Sequence, residues 1–215
     1  FGAMGIKKGT RDSQIIREMA KVIQANGALA LFPEATRTWN GETNNFDISI
    51  VKLIRLLKVP VITSCMRGSY FFDPRWGKSI RRSAMHIEFK MVYRPEDLKG
   101  LTDDQIYETL KRNLYNNDVE YQRKRLIKID NDKRAENIEF ICYQCSECNS
   151  YAGFDSARNN FICRGCKETF VVDDFGFLEK LNGSKVKFDN THSWLEWQND
   201  NFAQLIDSQI DEHLT

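Results

Sequence analysis

Residues 28–37 read ALALFPEATR, an uninterrupted apolar run that ends at a proline and passes into a polar loop. An apolar run of this length is typical of a strand that is buried on both faces. Pro33 ends the run because proline has no N–H to donate to a sheet. Residues 11–26, just before the run, carry apolar residues at helical spacing, and Gly27 follows where a helix commonly ends.

The pattern of a helix followed by a strand is repeated after the polar loop. Residues 48–57 have helical periodicity, and the apolar run VPVIT at residues 59–63 predicts another buried strand. The order strand, helix, strand is typical of an α/β fold. We therefore expect a mostly parallel sheet flanked by helices.

Three weaker signals follow. Apolar and polar residues alternate over residues 85–91, which predicts a half-exposed strand near a sheet edge. Thr102 and Gln105 have the spacing of a capping box, which predicts a helix that ends at about residue 115. Residues 119–135 are strongly charged and are expected to form a solvated helix.

The bulk composition excludes several classes of protein. The chain has 215 residues, of which 41% are hydrophobic and 28% charged, an ordinary globular composition with room for one domain and a small module. The net charge of +1 provides no overall attraction to nucleic acid. No stretch approaches the roughly 18 consecutive apolar residues that cross a bilayer, so we expect any membrane contact to be peripheral.

Five of the six cysteines lie between Cys142 and Cys166. Within this cluster, Cys145 and Cys148 form one pair with a two-residue gap, and Cys163 forms another with Cys166. Each such pair can bind one metal ion from a tight turn, and four thiolates complete a tetrahedral zinc site with no open position. We therefore expect a structural zinc ion in a zinc ribbon, and a reducing, cytoplasmic setting.

The membership of the first cysteine pair has an alternative. Residues 140–145, FICYQC, are similar to residues 161–166, FICRGC, so Cys142 can replace Cys148 as a zinc ligand. We favour Cys148, because Asn149 follows it and asparagine tolerates a left-handed backbone conformation.

The polar loop presents a carboxylate, a hydroxyl and a guanidinium within four residues, from Glu34, Thr36 and Arg37. It follows the carboxyl end of the expected strand, where open α/β sheets place their ligand sites. Arg37 can donate two N–H groups to a phosphate, and Thr36 can add another donor. Glu34 can orient a substrate hydroxyl or fix the arginine. The alternative is an ordinary surface ion pair between Glu34 and Arg37, worth at most about 1 kcal/mol.

The sequence FPEATR at residues 32–37 resembles the FPEGTR motif of the PlsC-like family, the glycerol-3-phosphate and 1-acylglycerol-3-phosphate acyltransferases. Two further segments resemble other blocks of that family, in the family's order. Residues 2–12, GAMGIKKGTRD, occupy the place of a block that helps to bind the acceptor. Residues 59–62, VPVI, resemble an apolar strand that shapes the acyl site.

The resemblance implies an enzyme of phospholipid biosynthesis at the inner face of the membrane. Such an enzyme transfers a fatty acyl group from acyl-CoA or acyl carrier protein to a lysophosphatidate-like acceptor. The residues that match the family's acceptor-binding positions are Glu34 and Arg37, with Thr36 and Lys8 as further substrate-binding candidates. Ala35 stands in place of the family's glycine, which matters only where the backbone needs a positive φ. Lys8 keeps the charge of the usual arginine without its forked geometry.

The family's catalytic block is a histidine followed five residues later by an aspartate, and this chain contains no such pair. Its three histidines are His86, His192 and His213, and the first two are followed at that distance by Met91 and Trp197. In the family the histidine removes the proton of the acceptor hydroxyl. We expect the pair to belong to a missing N-terminal portion, and therefore expect this chain alone to be inactive, with no catalytic residue of its own.

Residues 69–82, SYFFDPRWGKSIRR, combine aromatic and basic side chains and allow two interpretations. Aromatic rings beside cations suit the headgroup region of a membrane that carries anionic lipid. Alternatively, the aromatic side chains fold back beneath the loop and form a small core, which is the commoner fate of such residues.

The expected organisation is an acyltransferase domain over residues 1–136, a zinc ribbon over 137–181 and a Trp-rich tail over 182–215. A C-terminal helix is expected over residues 191–214. Residues 194–198, WLEWQ, resemble the tail of some bacterial members of the family that also carry a ribbon.

A second hypothesis comes from another class of protein. In it the chain is a non-catalytic binding protein whose zinc ribbon recognises nucleic acid or a protein partner. Nucleic acid is the less expected partner, because the net charge is close to zero.

Overall fold

The structure is a computed structural model that describes residues 13–214, with side chains described as far as residue 208. Predictions for residues 1–12, including Lys8, lie outside the described residues. Two short 3-10 turns, Pro95–Leu98 and Ile138–Phe140, separate longer elements. Those elements, in chain order, are α1 Ser13–Gln24, α2 Ser49–Leu57, β1 Val61–Arg67, α3 Ser69–Phe72, β2 His86–Tyr93, α4 Asp103–Leu114, α5 Asp118–Arg125, β3 Phe154–Ala157, β4 Asn160–Cys163, β5 Thr169–Val172, β6 Leu178–Lys180 and α6 Thr191–Leu214.

The chain divides into two compact units. The first takes residues 45–64, residues 89–114 and the described part of residues 1–36. The second takes residues 37–44, residues 65–88 and the chain from residue 115 onward. The domain boundaries expected at residues 136 and 181 stay predictions.

The mostly parallel sheet expected from the sequence is wrong, because both sheets are antiparallel. Among the residues that the structure describes, β1 pairs only with β2, and β3 to β6 form a four-stranded sheet in sequential order. The apolar run at residues 28–32 is not a strand, and Phe32 at its end is 77% exposed. A strand requires a neighbour to satisfy its N–H and C=O groups. Within residues 13–214 no strand pairs with this run.

The first unit is built around the contact between α2 and α4. Val51 and Ile54 of α2 lie in one buried cluster with Ile106 and Leu110 of α4. The helix α2 matches the expected residues 48–57 closely. Each of the two helices presents one apolar stripe to this cluster.

The capping box at the start of α4 is confirmed. The backbone N–H of Thr102 donates to Gln105 Oε1 at 2.8 Å, and the backbone N–H of Gln105 donates to Thr102 Oγ1 at 3.2 Å. These reciprocal bonds satisfy N–H groups that have no partner inside the helix.

Three of the four aromatic side chains of residues 69–82 belong to the core of the second unit. Tyr70, Phe71 and Trp76 are buried in the same cluster as the aromatic residues of the four-stranded sheet. The Tyr70 hydroxyl lies 2.7 Å from Thr191 Oγ1 and accepts a hydrogen bond from Trp76 Nε1 at 2.8 Å. The core interpretation of this stretch is therefore confirmed, and these three rings do not form an exposed surface.

The solvated helix expected over residues 119–135 is wrong beyond its first turns. α5 ends because Leu126 takes a left-handed conformation with φ of 48°. The chain then runs through the core, where Ile129 is fully buried. The Gln122 amide donates to the carbonyls of Ile127 and Phe175 at 2.6 and 2.8 Å, so a buried side chain supplies partners to backbone groups beyond the end of the helix.

The C-terminal helix is confirmed, since α6 covers the expected residues 191–214. Its Trp194 ring lies 5.1 Å from the ring of Phe170 and 5.9 Å from those of Phe154 and Phe161. Among the helices of the described residues, none is both long enough and apolar enough to cross a membrane.

Asp118, which is 1% exposed, organises the segment that contains α3. Its carboxylate accepts hydrogen bonds from the backbone N–H groups of Gly68 and Tyr70 at 2.6 and 2.7 Å, and from the Asn116 amide at 2.7 Å. Buried donors without an acceptor are costly, because they have lost their bonds to water.

We expect Asp118→Ala to lower the free energy of unfolding by about 3 kcal/mol, because it leaves buried backbone N–H groups without an acceptor. Urea denaturation monitored by tryptophan fluorescence measures this change. The control is Asp130→Ala, at an exposed ion pair with Arg82 in the same unit, which should change stability little. Equal losses in the two variants would contradict the role of Asp118.

Candidate functional site

Four cysteine thiols come together in the second unit. The Sγ atoms of Cys145, Cys148, Cys163 and Cys166 all lie within 4.8 Å of one another. Cys145 and Cys166 are 3.8 Å apart, as are Cys148 and Cys163. A tetrahedron with metal–sulfur bonds of about 2.3 Å has edges of about 3.8 Å, whereas a disulfide needs about 2.0 Å. The four thiols are therefore placed as ligands of one metal ion.

The two cysteine pairs lie on turns of the same design. In the first, the N–H of Asn149 donates to the Cys145 carbonyl at 2.9 Å, and Asn149 has a left-handed φ of 58°. In the second, the N–H of Lys167 donates to the Cys163 carbonyl at 3.0 Å, and Lys167 has a φ of 63°. In each turn the residue after the second cysteine is left-handed, as expected for Asn149 from its sequence.

Cys142, the alternative ligand, lies outside the four-thiol cluster. It is fully buried among apolar side chains, and this burial raises the pKa of its thiol well above the ordinary value. The ligand atoms that converge are those of Cys145, Cys148, Cys163 and Cys166, and the thiol of Cys142 is not among them. The structure therefore favours Cys148 over Cys142.

The four thiols differ in their electrostatic surroundings. The backbone N–H of Ser150 lowers the pKa of the Cys148 thiol to about 7. Burial raises the pKa of the Cys145 and Cys166 thiols. Binding a metal ion would therefore displace protons from the thiols of Cys145 and Cys166.

α6 fixes the chain that leads into the first cysteine turn. Gln198 Oε1 accepts hydrogen bonds from the backbone N–H groups of Tyr143 and Gln144 at 3.0 and 3.2 Å, and the Gln198 amide donates to the Ile141 carbonyl. Trp194 Nε1 donates to the Gln144 carbonyl at 2.9 Å. These bonds were not predicted from the sequence. The spacing of Trp194 and Gln198 places them on one helix face, but it does not reveal what that face contacts.

The FPEATR loop begins with a tight turn. The N–H of Ala35 donates to the Phe32 carbonyl at 3.0 Å, and Ala35 has a φ of 56°. This left-handed conformation is rare for alanine and free of strain for glycine. The acyltransferase motif has glycine at this position. The backbone at Ala35 therefore has a conformation that the motif's glycine would adopt without strain.

Arg37 lies at the end of the loop and forms an ion pair with Asp73. Its Nη2 is 3.2 Å from Asp73 Oδ2 and also donates to the Asp73 backbone carbonyl. A second cation lies beside it, since Arg75 donates to the Arg37 carbonyl at 2.9 Å and its guanidinium lies 4.5 Å from the centre of the Trp39 ring. The side chain of Arg37 is 57% exposed.

The structure brings some of the predicted site residues together and leaves others apart. The four cysteines converge. Glu34 and Thr36 end a segment of the first unit, Arg37 begins a segment of the second, and Lys8 lies outside the described residues. The acceptor site as a whole therefore stays a prediction.

A second group of potential metal ligands was missed entirely. Glu42, His192 and Glu196 each direct one ligand atom to a common region. His192 and Glu196 are four residues apart on the predicted C-terminal helix, and this spacing already places both side chains on one helix face. Glu42 could not be added to it, because 150 residues separate it from His192.

We expect Ala35→Gly to raise the free energy of unfolding by about 1 kcal/mol, because glycine adopts a left-handed conformation without strain. Ala157→Gly, at an exposed strand position in β3, should instead lower it by about 0.5–1 kcal/mol. Urea denaturation of both variants tests the opposite signs. Destabilisation by both substitutions would contradict the turn conformation.

Comparison of the chain with protein-family models, with curated proteins and with solved structures finds no match in any of the three. The likeness to acyltransferases therefore depends on the residues of the FPEATR loop and its neighbouring segments. The metal site depends on the spacing and convergence of the four cysteines.

Proposed function

We propose that this chain forms the acceptor-binding part of a glycerolipid acyltransferase and carries a structural zinc site. The substrate would be a lysophosphatidate-like molecule that accepts a fatty acyl group from acyl-CoA or acyl carrier protein. The main support is the FPEATR loop, which matches the acyltransferase motif at every residue except Ala35, and Ala35 is left-handed where the motif has glycine.

The conformation of Ala35 adds weight to the match in sequence. An alanine with positive φ is held there by its surroundings at some cost, and such residues are concentrated at functional sites. An ordinary surface loop would more commonly use glycine or asparagine at this position. The conformation of Ala35 therefore supports a functional role for this loop.

Arg37 is proposed to bind the phosphate of the acceptor. Its guanidinium is exposed, and its pair with Asp73 is of the exposed kind that contributes about 1 kcal/mol or less. A phosphate accepts two parallel N–H bonds from an arginine and carries more charge than the carboxylate, so it can displace Asp73. Arg75 adds positive charge beside Arg37.

The proposed reaction forms an ester and releases a thiol. The acceptor oxygen attacks the carbonyl carbon of the thioester, the carbon–sulfur bond breaks, and the hydroxyl proton ends on the leaving sulfur. In the family, a histidine paired with an aspartate transfers this proton. Since the chain lacks that pair, we propose that it binds the acceptor and does not turn it over alone.

Zinc is the metal that we propose for the four-cysteine site. Four thiolates in a tetrahedral arrangement suit zinc and leave no position open for a substrate. The ion would thus stabilise the sheet β3 to β6 and the turns attached to it, without taking part in acyl transfer.

Titration of the chain with glycerol 3-phosphate, followed by calorimetry, tests the acceptor site. Arg37→Ala should weaken binding about tenfold or more, because a charge-assisted hydrogen bond contributes about 1.5–3 kcal/mol. Asp73→Asn should strengthen binding, because it removes the carboxylate that competes for Arg37. Arg82→Ala, at another exposed arginine of the same unit, is the control and should have little effect.

Equal losses in Arg37→Ala and Arg82→Ala would show general attraction to charge and contradict the acceptor site. The chain should also release no thiol from acyl-CoA in the presence of lysophosphatidate. Release of thiol by the chain alone would contradict the proposal that this chain contains no catalytic base. Absence of glycerol 3-phosphate binding, together with salt-sensitive binding of nucleic acid, would favour the non-catalytic hypothesis.

We expect Cys148→Ser to remove the tightly bound zinc and unfold the second unit, because zinc contributes on the order of 10 kcal/mol to folding in such modules. Elemental analysis and near-ultraviolet circular dichroism of the tryptophans measure the two effects. Cys65→Ala is the control, since Cys65 lies outside the cluster. Retention of zinc and of the tryptophan signal in Cys148→Ser would contradict the site.

A further inference from the structure

Three side chains of the second unit converge at the start of α6. His192 Nε2 lies 3.2 Å from Glu196 Oε2 and 3.7 Å from Glu42 Oε2. One ligand atom from each of the three residues lies within 4.8 Å of the other two. Ligand atoms bound at about 2.0–2.2 Å to one ion are separated by about 3.0–3.6 Å, so small adjustments would bring these three atoms to such an arrangement.

The ligand atoms come from two segments whose positions are fixed by other contacts. His192 and Glu196 are four residues apart in α6 and therefore lie on one face of the helix. Glu42 lies in a segment bound on both sides, since the N–H of Thr43 donates to the Asn116 carbonyl at 2.9 Å and the N–H of Asp118 donates to the Gly41 carbonyl at 2.8 Å.

Tyr115 orients the carboxylate of Glu42. The Tyr115 hydroxyl donates to Glu42 Oε1 at 2.8 Å, while the other oxygen, Oε2, faces the imidazole. A hydrogen bond to the outer oxygen of a carboxylate is the usual way in which a protein orients a metal ligand. Glu42 is therefore presented with one oxygen engaged and the other directed to the cluster.

A divalent cation would balance the charges of the cluster. Two carboxylates lie against one imidazole, and the imidazole is only 14% exposed. A proton on His192 would offset one of the two negative charges. A divalent ion bound to the neutral imidazole offsets both.

We propose that Glu42, His192 and Glu196 bind a divalent first-row transition-metal ion through two carboxylate oxygens and Nε2. An imidazole ligand favours ions such as zinc, iron or nickel over magnesium and calcium, which prefer oxygen alone. Three protein ligands leave at least one coordination position open, in contrast to the four-cysteine site. That position takes water or an anionic oxygen such as that of a phosphate ester. The proposal does not depend on acyl transfer.

Cobalt(II) is the probe that separates this site from the cysteine site. The chain is first loaded with one equivalent of zinc, which binds to the four thiols more tightly than cobalt(II) does. It is then titrated with cobalt(II). One further equivalent should bind and give d–d absorption without the intense thiolate-to-cobalt bands of a cysteine site. Tyr115→Phe should weaken this binding by about tenfold, because it removes the bond that orients Glu42.

Glu196→Gln is the main variant, because Glu196 is 58% exposed and its replacement leaves the core intact. This substitution should abolish or greatly weaken the binding of the second equivalent of metal ion. Asp207→Asn, at an exposed carboxylate farther along α6, is the matched control and should leave binding unchanged. Equal cobalt binding in these two variants, absence of a second equivalent, or thiolate-to-cobalt bands in its spectrum would each overturn the proposal.

Discussion

The buried indole of Trp194 makes two kinds of contact at once. Its ring packs edge-on against Phe154 and Phe170 of the four-stranded sheet, and its N–H donates to the carbonyl of Gln144, the residue before the first metal-ligand candidate. One turn later, Gln198 bonds to three more backbone groups of the same segment. Without these side chains, buried backbone groups would lack partners, so both the core and the first cysteine turn depend on α6.

The same core extends beyond the four-stranded sheet and the cysteine turns into segments that precede them by many residues. Tyr70 and Trp76 enter the cluster, and the Tyr70 hydroxyl bonds to Thr191 at the start of α6. Arg81 lies over the Trp76 ring, and burial lowers the pKa of its guanidinium to about 10. The second unit is thus one packed body in which the candidate metal centre, the aromatic residues and the α6 helix share contacts.

The parts of this structure that the sequence predicted are those that neighbouring residues determine. The capping box of Thr102 and Gln105, the two cysteine turns and α6 each depend on spacing within one segment. The parallel sheet failed because a strand at residues 28–32 needs a partner, and an apolar run does not say which strand will pair with it. Glu42 was missed for the same reason, since its approach to His192 is a property of the tertiary fold.

The two cysteine turns differ in how far along the chain their support lies. The second turn joins β4 to β5, and its flanking strands pair within a few residues of it. The segment entering the first turn instead takes its bonds from Gln198, more than fifty residues later. Contacts between near residues form faster than contacts between distant ones, so the second turn can close as soon as its hairpin pairs. During synthesis, the first turn would gain its full support only after α6 has left the ribosome.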